Sequence, residues 1–160
     1  MTIVPTGKGG FINQMRIDFF IPGEPPTVTA QEKGLTTRKV GGKWKPVSYE
    51  KPEIRHTKEW FKWQLSGHIP NPTPKGPVRL WTVWNWTPKG KHKHGTFRDT
   101  KPDCDNLIKL FKDAMADLGY FENDSRVVDE RVIKRWSTKP GIRVIMETIE
   151  HQEAHKYGDK

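Results

Sequence analysis

Two aspartates stand at the start of the strongest helical pattern in the chain, in the segment Lys101-Pro102-Asp103-Cys104-Asp105-Asn106. A proline disfavours helix at the residue before it, so we expect the chain to enter this segment extended. Side chains two apart in an extended segment point to the same side, and Asp103 and Asp105 are therefore predicted to face a common point. Helix capping would need only one such residue, so the pair indicates more than a cap.

A second acidic group, Glu122-Asn123-Asp124-Ser125, follows that helix. If the next strand returns beside the helix start, Asp124 joins Asp103 and Asp105. Three clustered carboxylates repel and raise one another's pKa unless a cation compensates them. Mg²⁺ is the usual oxygen-bound dication beside phosphate chemistry, so this arrangement would predict a magnesium site.

Lys109 lies four residues after Asp105 and four before Asp113. This spacing suits a surface ion pair with either aspartate, which would add a few tenths of a kcal/mol (~0.3) to helix stability. It also suits an ammonium group one turn from a metal site, where it would stabilise the charge of a phosphoryl transition state. Spacing alone does not separate the two interpretations.

Other metal and nucleophile chemistries fit the sequence less well. A calcium loop starting at Asp103 would place Leu107 and Ile108 where a ligand and a glycine are required. His92 and His94 lack further zinc ligands nearby, which favours a solvated or phosphate-facing loop. Cys104 is the single cysteine, so an internal disulfide is excluded and a reducing cytoplasmic compartment is favoured. Its side chain is predicted to pack rather than to react.

The charge distribution indicates a polyanionic partner. The 160-residue chain has a net charge of +9. Residues 1–101 contain 18 basic and 7 acidic residues, whereas residues 102–160 contain 10 basic and 12 acidic ones. Nucleic acid is the commonest polyanion for such a basic region. No apolar run is long enough for a membrane helix, so we expect no membrane association.

The elements that must position these groups follow from hydrophobic periodicity. The patterns predict a single α/β (α+β) domain over residues 15–149, with a mixed sheet and two main helices in the order β-α-β-α-β-β. The predicted strands span 15–21, 78–86, 127–136 and 142–149, and the predicted helices span 53–67 and 104–118. Gly119 fits the C′ position just after the second helix. Residues 27–52 are predicted to form a long basic loop that could contain a short hairpin at Gly41-Gly42, and residues 87–100 to form a second basic loop. Residues 1–14 are expected to be flexible and residues 150–160 to be a polar tail.

Three segments together resemble one known family. They are K-P-D-C-D-N-L-I-K at 101–109, F-E-N-D-S-R-V-V at 121–128 and V-I-K-R-W at 132–136, and they are similar to the RusA-like Holliday junction resolvases. The resemblance implies a homodimeric α/β fold and Mg²⁺-dependent phosphodiester hydrolysis, in which Mn²⁺ could replace Mg²⁺ and no small-molecule cofactor takes part. It implies metal binding by Asp103, Asp105 and Asp124 and a catalytic role for Lys109. Asn123 departs from the acidic residue that the family often carries there, so it is left outside the catalytic set.

The resemblance also implies a substrate, namely branched DNA such as a four-way junction, cut by paired nicks in phage or prophage recombination and repair. A phage-encoded chain would then act in the cytoplasm of its bacterial host. Trp44 or Tyr49 would stack on unpaired bases at the junction, or else pack in a small local core. The alternatives are a non-catalytic nucleic-acid-binding phage protein and an assembly protein, which Mg²⁺-dependent cleavage would distinguish. The residues expected to contact DNA are Lys33, Arg38, Lys39, Lys43, Trp44, Lys45 and Lys101.

Overall fold

The alternating segments of the sequence become strands, and the two segments of helical periodicity become helices. The computed structural model describes residues 2–5, 11–29 and 33–149, with the backbone alone at 2–5, 11–14 and Lys33. The helices are α1 (Pro52–Leu65) and α2 (Cys104–Asp117), and short 3₁₀ turns follow at Ser66–His68 and Asp124–Arg126. The strands are β1 (Thr2–Pro5), β2 (Phe11–Gln14), β3 (Arg16–Pro22), β4 (Lys33–Val40), β5 (Lys43–Glu50), β6 (Val78–Trp86), β7 (Val127–Trp136) and β8 (Gly141–Thr148). Within the described ranges, no helix is long and apolar enough to cross a membrane.

The central sheet has four strands in the order β3-β8-β6-β7. β6 and β7 are parallel, whereas β8 runs antiparallel to both of its neighbours. The chain from β6 to β7 passes through α2, which makes a β-α-β unit. The mixed α/β domain and the order β-α-β-α-β-β expected from periodicity are therefore confirmed for the part of the chain that carries the central sheet.

Both helices cover one face of this sheet, and the core lies between them. Three aromatic rings mark its centre: Phe61 of α1, Trp84 of β6 and Phe111 of α2 pack edge to face, with centroids 5.1 to 5.9 Å apart. All three are buried. Such ring pairs contribute about 0.5–1.5 kcal/mol each beyond the area that they bury. This packing fixes α2, and hence the acidic segment at its start, on the sheet.

The opposite face of the sheet carries a row of charges that follows the strand register. Arg16, Glu147, Arg79 and Asp129 occupy matching positions on β3, β8, β6 and β7. Each neighbouring pair forms an ion pair, with Arg79 bonded to Glu147 at 3.3 Å and to Asp129 at 2.6 Å. Cross-strand pairs of opposite charge stabilise a sheet, so this face needs no helix to cover it.

The region predicted as a long basic loop at 27–52, with a possible short hairpin at Gly41-Gly42, is largely a β-hairpin. The turn lies at the expected glycines, and the prediction of a loop for the rest is corrected. β4 and β5 pair antiparallel over their full length. The connection is the two-residue turn Gly41-Gly42, with φ of 59° and 79°. A tight hairpin turn of this kind needs positive φ at both positions, which glycine adopts without steric cost. Apart from Gly34 and Val47, the described side chains of the hairpin are exposed.

The ends of the elements differ from expectation in a few places. β1 and β2 pair antiparallel where the sequence predicts a flexible terminus. The prediction missed them because four-residue strands are too short to show a recognisable alternation. α1 ends at Leu65 rather than at residue 67 and continues as a 3₁₀ turn. α2 ends at Asp117 rather than at residue 118, and Gly119 lies as predicted immediately after the C-cap, with a φ of 83°. The predicted polar tail at 150–160 lies outside the described residues.

Candidate active site

Asp103 and Asp105 lie at the positive end of α2, and neither side chain is used to build the helix. Asp103 is the N-cap residue and is extended (φ −72°, ψ 147°), yet its carboxylate makes no capping hydrogen bond. Asp105 lies in the first helical turn. Both residues are exposed, and no ion pair or hydrogen bond to either side chain occurs among the described residues. Two negative charges therefore remain available to a ligand.

The backbone at Asp103 and Asp105 differs from the sequence argument. The extended conformation ends at Asp103, because Cys104 and Asp105 already belong to the helix. Both aspartates therefore lie at the start of the helix, and the expectation of one continuous extended segment is wrong.

Lys109 follows Asp105 by one helical turn and is exposed. Within the described ranges its ammonium group forms no ion pair within 4 Å, with Asp105, Asp113 or any other acid. Its neighbour Lys112, by contrast, binds Glu130 of β7 at 2.6 Å. The surface-pair interpretation of Lys109 is therefore not realised, and the ammonium group is free to contact a bound anion.

Asp124 lies at the other end of α2 from Asp103 and Asp105. The 14-residue helix is about 21 Å long. Because α2 connects two parallel strands, it runs antiparallel to them. The ion pair between Lys112 and Glu130 joins α2 to β7 partway along both elements. Asp124 opens the 3₁₀ turn that leads into β7, at the edge of the sheet where α2 ends. The next strand does not return beside the helix start, so one chain does not bring the three aspartates together.

The residues at the start of α2 fit a magnesium ion. Exposed carboxylate oxygens are the donors that this ion prefers, and Mg²⁺ commonly binds through one or two carboxylates together with phosphates of its substrate. No three His, Cys, Asp or Glu side chains form a metal-holding group among the described residues. A third His, Cys, Asp or Glu ligand for the Asp103 and Asp105 site is therefore not supplied by the described residues of the same chain.

Around Asp124, the neighbouring residues build the turn. Asn123 is its N-cap and accepts a hydrogen bond from the backbone N–H of Ser125 at 3.1 Å. Arg126 pairs with Glu122 across the same turn. Asp124 itself is exposed and makes no such contact among the described residues. The local structure thus gives Asn123 a capping task and leaves the Asp124 carboxylate free.

Two cationic side chains that the sequence analysis did not single out hold the segment before Asp103. Arg98 lies between the rings of Trp86 and Trp136, at 4.3 and 4.8 Å from their centroids, and donates to the carbonyl of Lys101. Burial lowers the pKa of its guanidinium from the usual value. Lys134 of β7 donates to the carbonyls of Thr100 and Pro102. The only sequence signal was the lysine of V-I-K-R-W at 132–136, to which no role was attached.

The residues predicted to contact DNA lie mainly on the β4–β5 hairpin. Side chains alternate along each strand, so Arg38, Lys43 and Lys45 share one face and Lys39 and Trp44 share the other. Arg38 lies directly opposite Lys45. Like charges opposite each other destabilise a strand pair, and no acid lies within 4 Å of these cations among the described residues. A bound polyanion would relieve this repulsion.

The remaining residues of the set are placed less specifically. Lys33 begins β4 and is described by its backbone alone. Lys101 is exposed and lies two residues before Asp103. Trp44 is 69% exposed, which excludes the local core considered for it, whereas the ring of Tyr49 lies over Gly34.

The other chemistries weighed from the sequence have definite places. His92 stacks on Trp136 with ring centroids 4.6 Å apart, and His94 Nδ1 accepts from the backbone N–H of Thr138 at 3.1 Å. Both histidines therefore anchor the 87–100 loop to the end of β7. Cys104 is an exposed free thiol at the first position of α2, so the prediction that it packs is wrong.

Comparison with known proteins agrees with the motifs at this site. The family model described as endodeoxyribonuclease RusA matches residues 22–147. The crossover junction endodeoxyribonuclease rusA of Lactococcus phage r1t is 29% identical over 117 residues, which cover 71% of this chain and 84% of that protein. An uncharacterized protein of Bacillus subtilis (strain 168), YqaN, is 29% identical over 144 residues, covering 83% of this chain and 96% of that protein. The match spans both helices, the acidic segments and the strands β6, β7 and β8 of the central sheet as far as residue 147. The chain belongs to the RusA endodeoxyribonuclease family.

Proposed function

We propose that this protein is a Mg²⁺-dependent endodeoxyribonuclease that resolves four-way DNA junctions and related branched DNA by paired nicks. The observation that carries the proposal is the pair of exposed, unpartnered carboxylates of Asp103 and Asp105 at the start of α2. Negative charge beside DNA is unfavourable unless a cation lies between them. DNA binding without catalysis leaves this pair unexplained.

Each group has a distinct task in the proposed reaction. Asp103 and Asp105 would hold Mg²⁺ at the scissile phosphate, with Mn²⁺ as a possible replacement. When bound, the ion supplies positive charge at the phosphate and makes a water molecule easier to deprotonate. Lys109, one turn further along α2, would contact the non-bridging oxygens and stabilise their charge in the transition state. The cations of the β4–β5 hairpin would bind the phosphates of the DNA arms.

The third aspartate of the family motif requires two chains in this proposal. Asp103 and Asp105 lie at the start of α2, which is about 21 Å long, whereas Asp124 follows its other end. Two copies related by a two-fold axis can run antiparallel, so that the end of one helix meets the start of the other. Asp124 of one chain would then complete the site of its partner. Such a homodimer has two sites, as paired nicking of a junction requires.

A synthetic four-way junction incubated with the protein, with Mg²⁺ or with EDTA, tests the activity. We expect Mg²⁺-dependent nicking by the unmodified protein and its loss in Asp105→Asn, while junction binding survives because the hairpin is intact. Asp113→Asn is the matched control, since Asp113 lies on the same helix two turns further along. Full activity of Asp105→Asn would refute the proposed metal site. Binding without Mg²⁺-dependent cleavage by the unmodified protein would instead identify a non-catalytic DNA-binding protein.

Mixed dimers test the two-chain site. Chains carrying Asp105→Asn and Asp124→Asn are co-expressed with different tags, and the mixed species is purified on both tags. If sites are shared, one site of the mixed dimer has lost both aspartates and the other is intact, so we expect nicking at roughly half the unmodified rate per dimer. If each site belongs to one chain, both sites are damaged and the mixed dimer is as inactive as its parents.

A further inference from the structure

Three successive backbone carbonyls before Asp103 are bound by two cationic side chains. Lys134 Nζ donates to the carbonyl oxygen of Thr100 at 2.7 Å and to that of Pro102 at 2.6 Å. Arg98 Nη2 donates to the carbonyl oxygen between them, that of Lys101. Charge-assisted hydrogen bonds of this kind are shorter and about twice as strong as neutral ones. Each of the three backbone carbonyls directly before Asp103 is therefore held by a hydrogen bond from a cationic side chain.

The two cations are themselves held by the sheet. Lys134 lies on β7 in register with the buried Trp84 of β6. Arg98 is stacked between Trp86 and Trp136, and its backbone N–H donates to the carbonyl of Lys134 at 2.9 Å. The position of residues 100–102 is thus set by the ends of β6 and β7 and not by α2 alone.

The 100–102 segment needs this support because its own side chains bring little packing. Pro102 is buried, whereas Thr100, Lys101 and Asp103 are exposed. Asp103 has no capping hydrogen bond that would fix its side chain. Without the two cations, the entry to α2 would be held mainly by one proline ring and by the first backbone bond of the helix, from Leu107 N–H to the Asp103 carbonyl at 3.0 Å.

We propose that Lys134, together with Arg98, is a positioning residue that holds the backbone before Asp103 so that the Asp103 and Asp105 carboxylates meet a bound divalent cation in a fixed geometry. The catalytic part of this inference rests on the proposed function. Groups that orient metal ligands typically change metal affinity or activity by about 10- to 100-fold when they are removed. Displacement of reacting groups by about 1 Å can cost a similar factor in rate.

The test compares Lys134→Met, Lys134→Arg and the control Lys112→Met. Lys134→Met keeps an unbranched stem and removes all three donors, whereas Lys134→Arg keeps the charge and the donors. Lys112→Met removes a different contact between α2 and β7, the ion pair with Glu130. Thermal melts identify folded variants, and Lys134→Gln replaces Lys134→Met if the latter does not fold.

Two of the readouts need no catalysis. Hydrogen exchange of the amides at 107–110, without metal or DNA, should become about tenfold faster in Lys134→Met and remain near the unmodified rate in Lys134→Arg and Lys112→Met. Mn²⁺ affinity, from an electron paramagnetic resonance titration, should fall about tenfold or more in Lys134→Met alone. The single-turnover junction cleavage rate should fall by a similar factor, while junction affinity in EDTA changes by less than about threefold.

The outcomes separate this inference from the proposed function. Unchanged exchange and unchanged Mn²⁺ affinity in Lys134→Met would overturn the positioning role even if the unmodified protein cleaves junctions. Equal losses in Lys134→Met and Lys112→Met would also overturn it, because they would show a general loosening of α2 on the sheet. If the unmodified protein does not cleave DNA, the proposed function fails, and the exchange and Mn²⁺ measurements still decide whether Lys134 positions a metal site.

Discussion

The hairpin β4–β5 offers a quantitative test of DNA binding through its face-specific charges. Changing Arg38, Lys43 and Lys45 to Ala removes the three cations that share one face. Each lost phosphate contact should reduce the slope of log K against log salt by about 0.9 on duplex DNA, so the triple variant should lose about 2.7 per bound chain. Between 50 and 200 mM salt, this difference changes the ratio of the two affinities by about 40-fold.

The stability of the protein should hardly change in the triple variant. The three side chains are exposed, and the Arg38 and Lys45 pair repels itself across the strands. Its removal should therefore leave the melting temperature unchanged or slightly raised, since such pairs destabilise a sheet by a few tenths of a kcal/mol (~0.2–1). A loss of binding in this variant would then report lost contacts and not lost folding.

The assay is junction binding in EDTA at four or more salt concentrations, by fluorescence anisotropy of a labelled four-way junction. Lys39→Ala is the matched control, because Lys39 lies on the other face beside Trp44. This single change should reduce the slope of log K against log salt by at most about 0.9, the value for one phosphate contact. A triple variant with the unmodified slope would show that this face of the hairpin is off the DNA path and refute the argument from unrelieved like charge.

Two further changes test the site and the core. Lys109→Ala should lower the single-turnover cleavage rate by about 100-fold, or about 2.7 kcal/mol, with little change in melting temperature, since Lys109 has no ion-pair partner among the described residues; Lys109→Arg should recover part of the rate at most, and an unmodified rate in Lys109→Ala would assign it to the surface. Tyr120→Phe should destabilise the protein by about 1–2 kcal/mol in a denaturant titration, because the buried hydroxyl group donates to the Leu65 carbonyl at 2.7 Å; an unchanged free energy of unfolding would show that this carbonyl finds another donor.

Most of the fold could be predicted from the sequence because the core elements have clear periodicity. α2 carries an apolar stripe that includes Leu107, Phe111 and Ala114, and all three are buried as expected. The hairpin was predicted only as a possible short turn within a loop, because residues such as Arg38 and Lys45 give its strands no apolar face to recognise. Sheet order was beyond reach, since the pairing of β8 between β3 and β6 depends on contacts between residues far apart in sequence.

The candidate site divides in the same way. Local patterns placed Asp103 and Asp105 at a helix start, where the structure has them. The relation of Asp124 to this pair depends on where β7 begins, which is decided by the topology of the β-α-β unit. Lys134 lies 32 residues from Pro102 along the chain, yet their groups are bonded. A contact at that separation leaves no periodic trace, so its place at the site became visible only in three dimensions.

The length of α2 has a consequence for how activity would depend on protein concentration. If the site is shared between two chains as proposed, a single chain holds Asp103 and Asp105 at the start of α2 and Asp124 beyond its other end. A single chain therefore has no complete set of three aspartates. Below the dissociation constant of the dimer, cleavage would then rise with the square of concentration, and above it in direct proportion. The length of the helix would thus make cleavage depend on dimer formation. At low protein concentration the chains would cleave little DNA, and cleavage would become appreciable only when the concentration approaches the dissociation constant of the dimer.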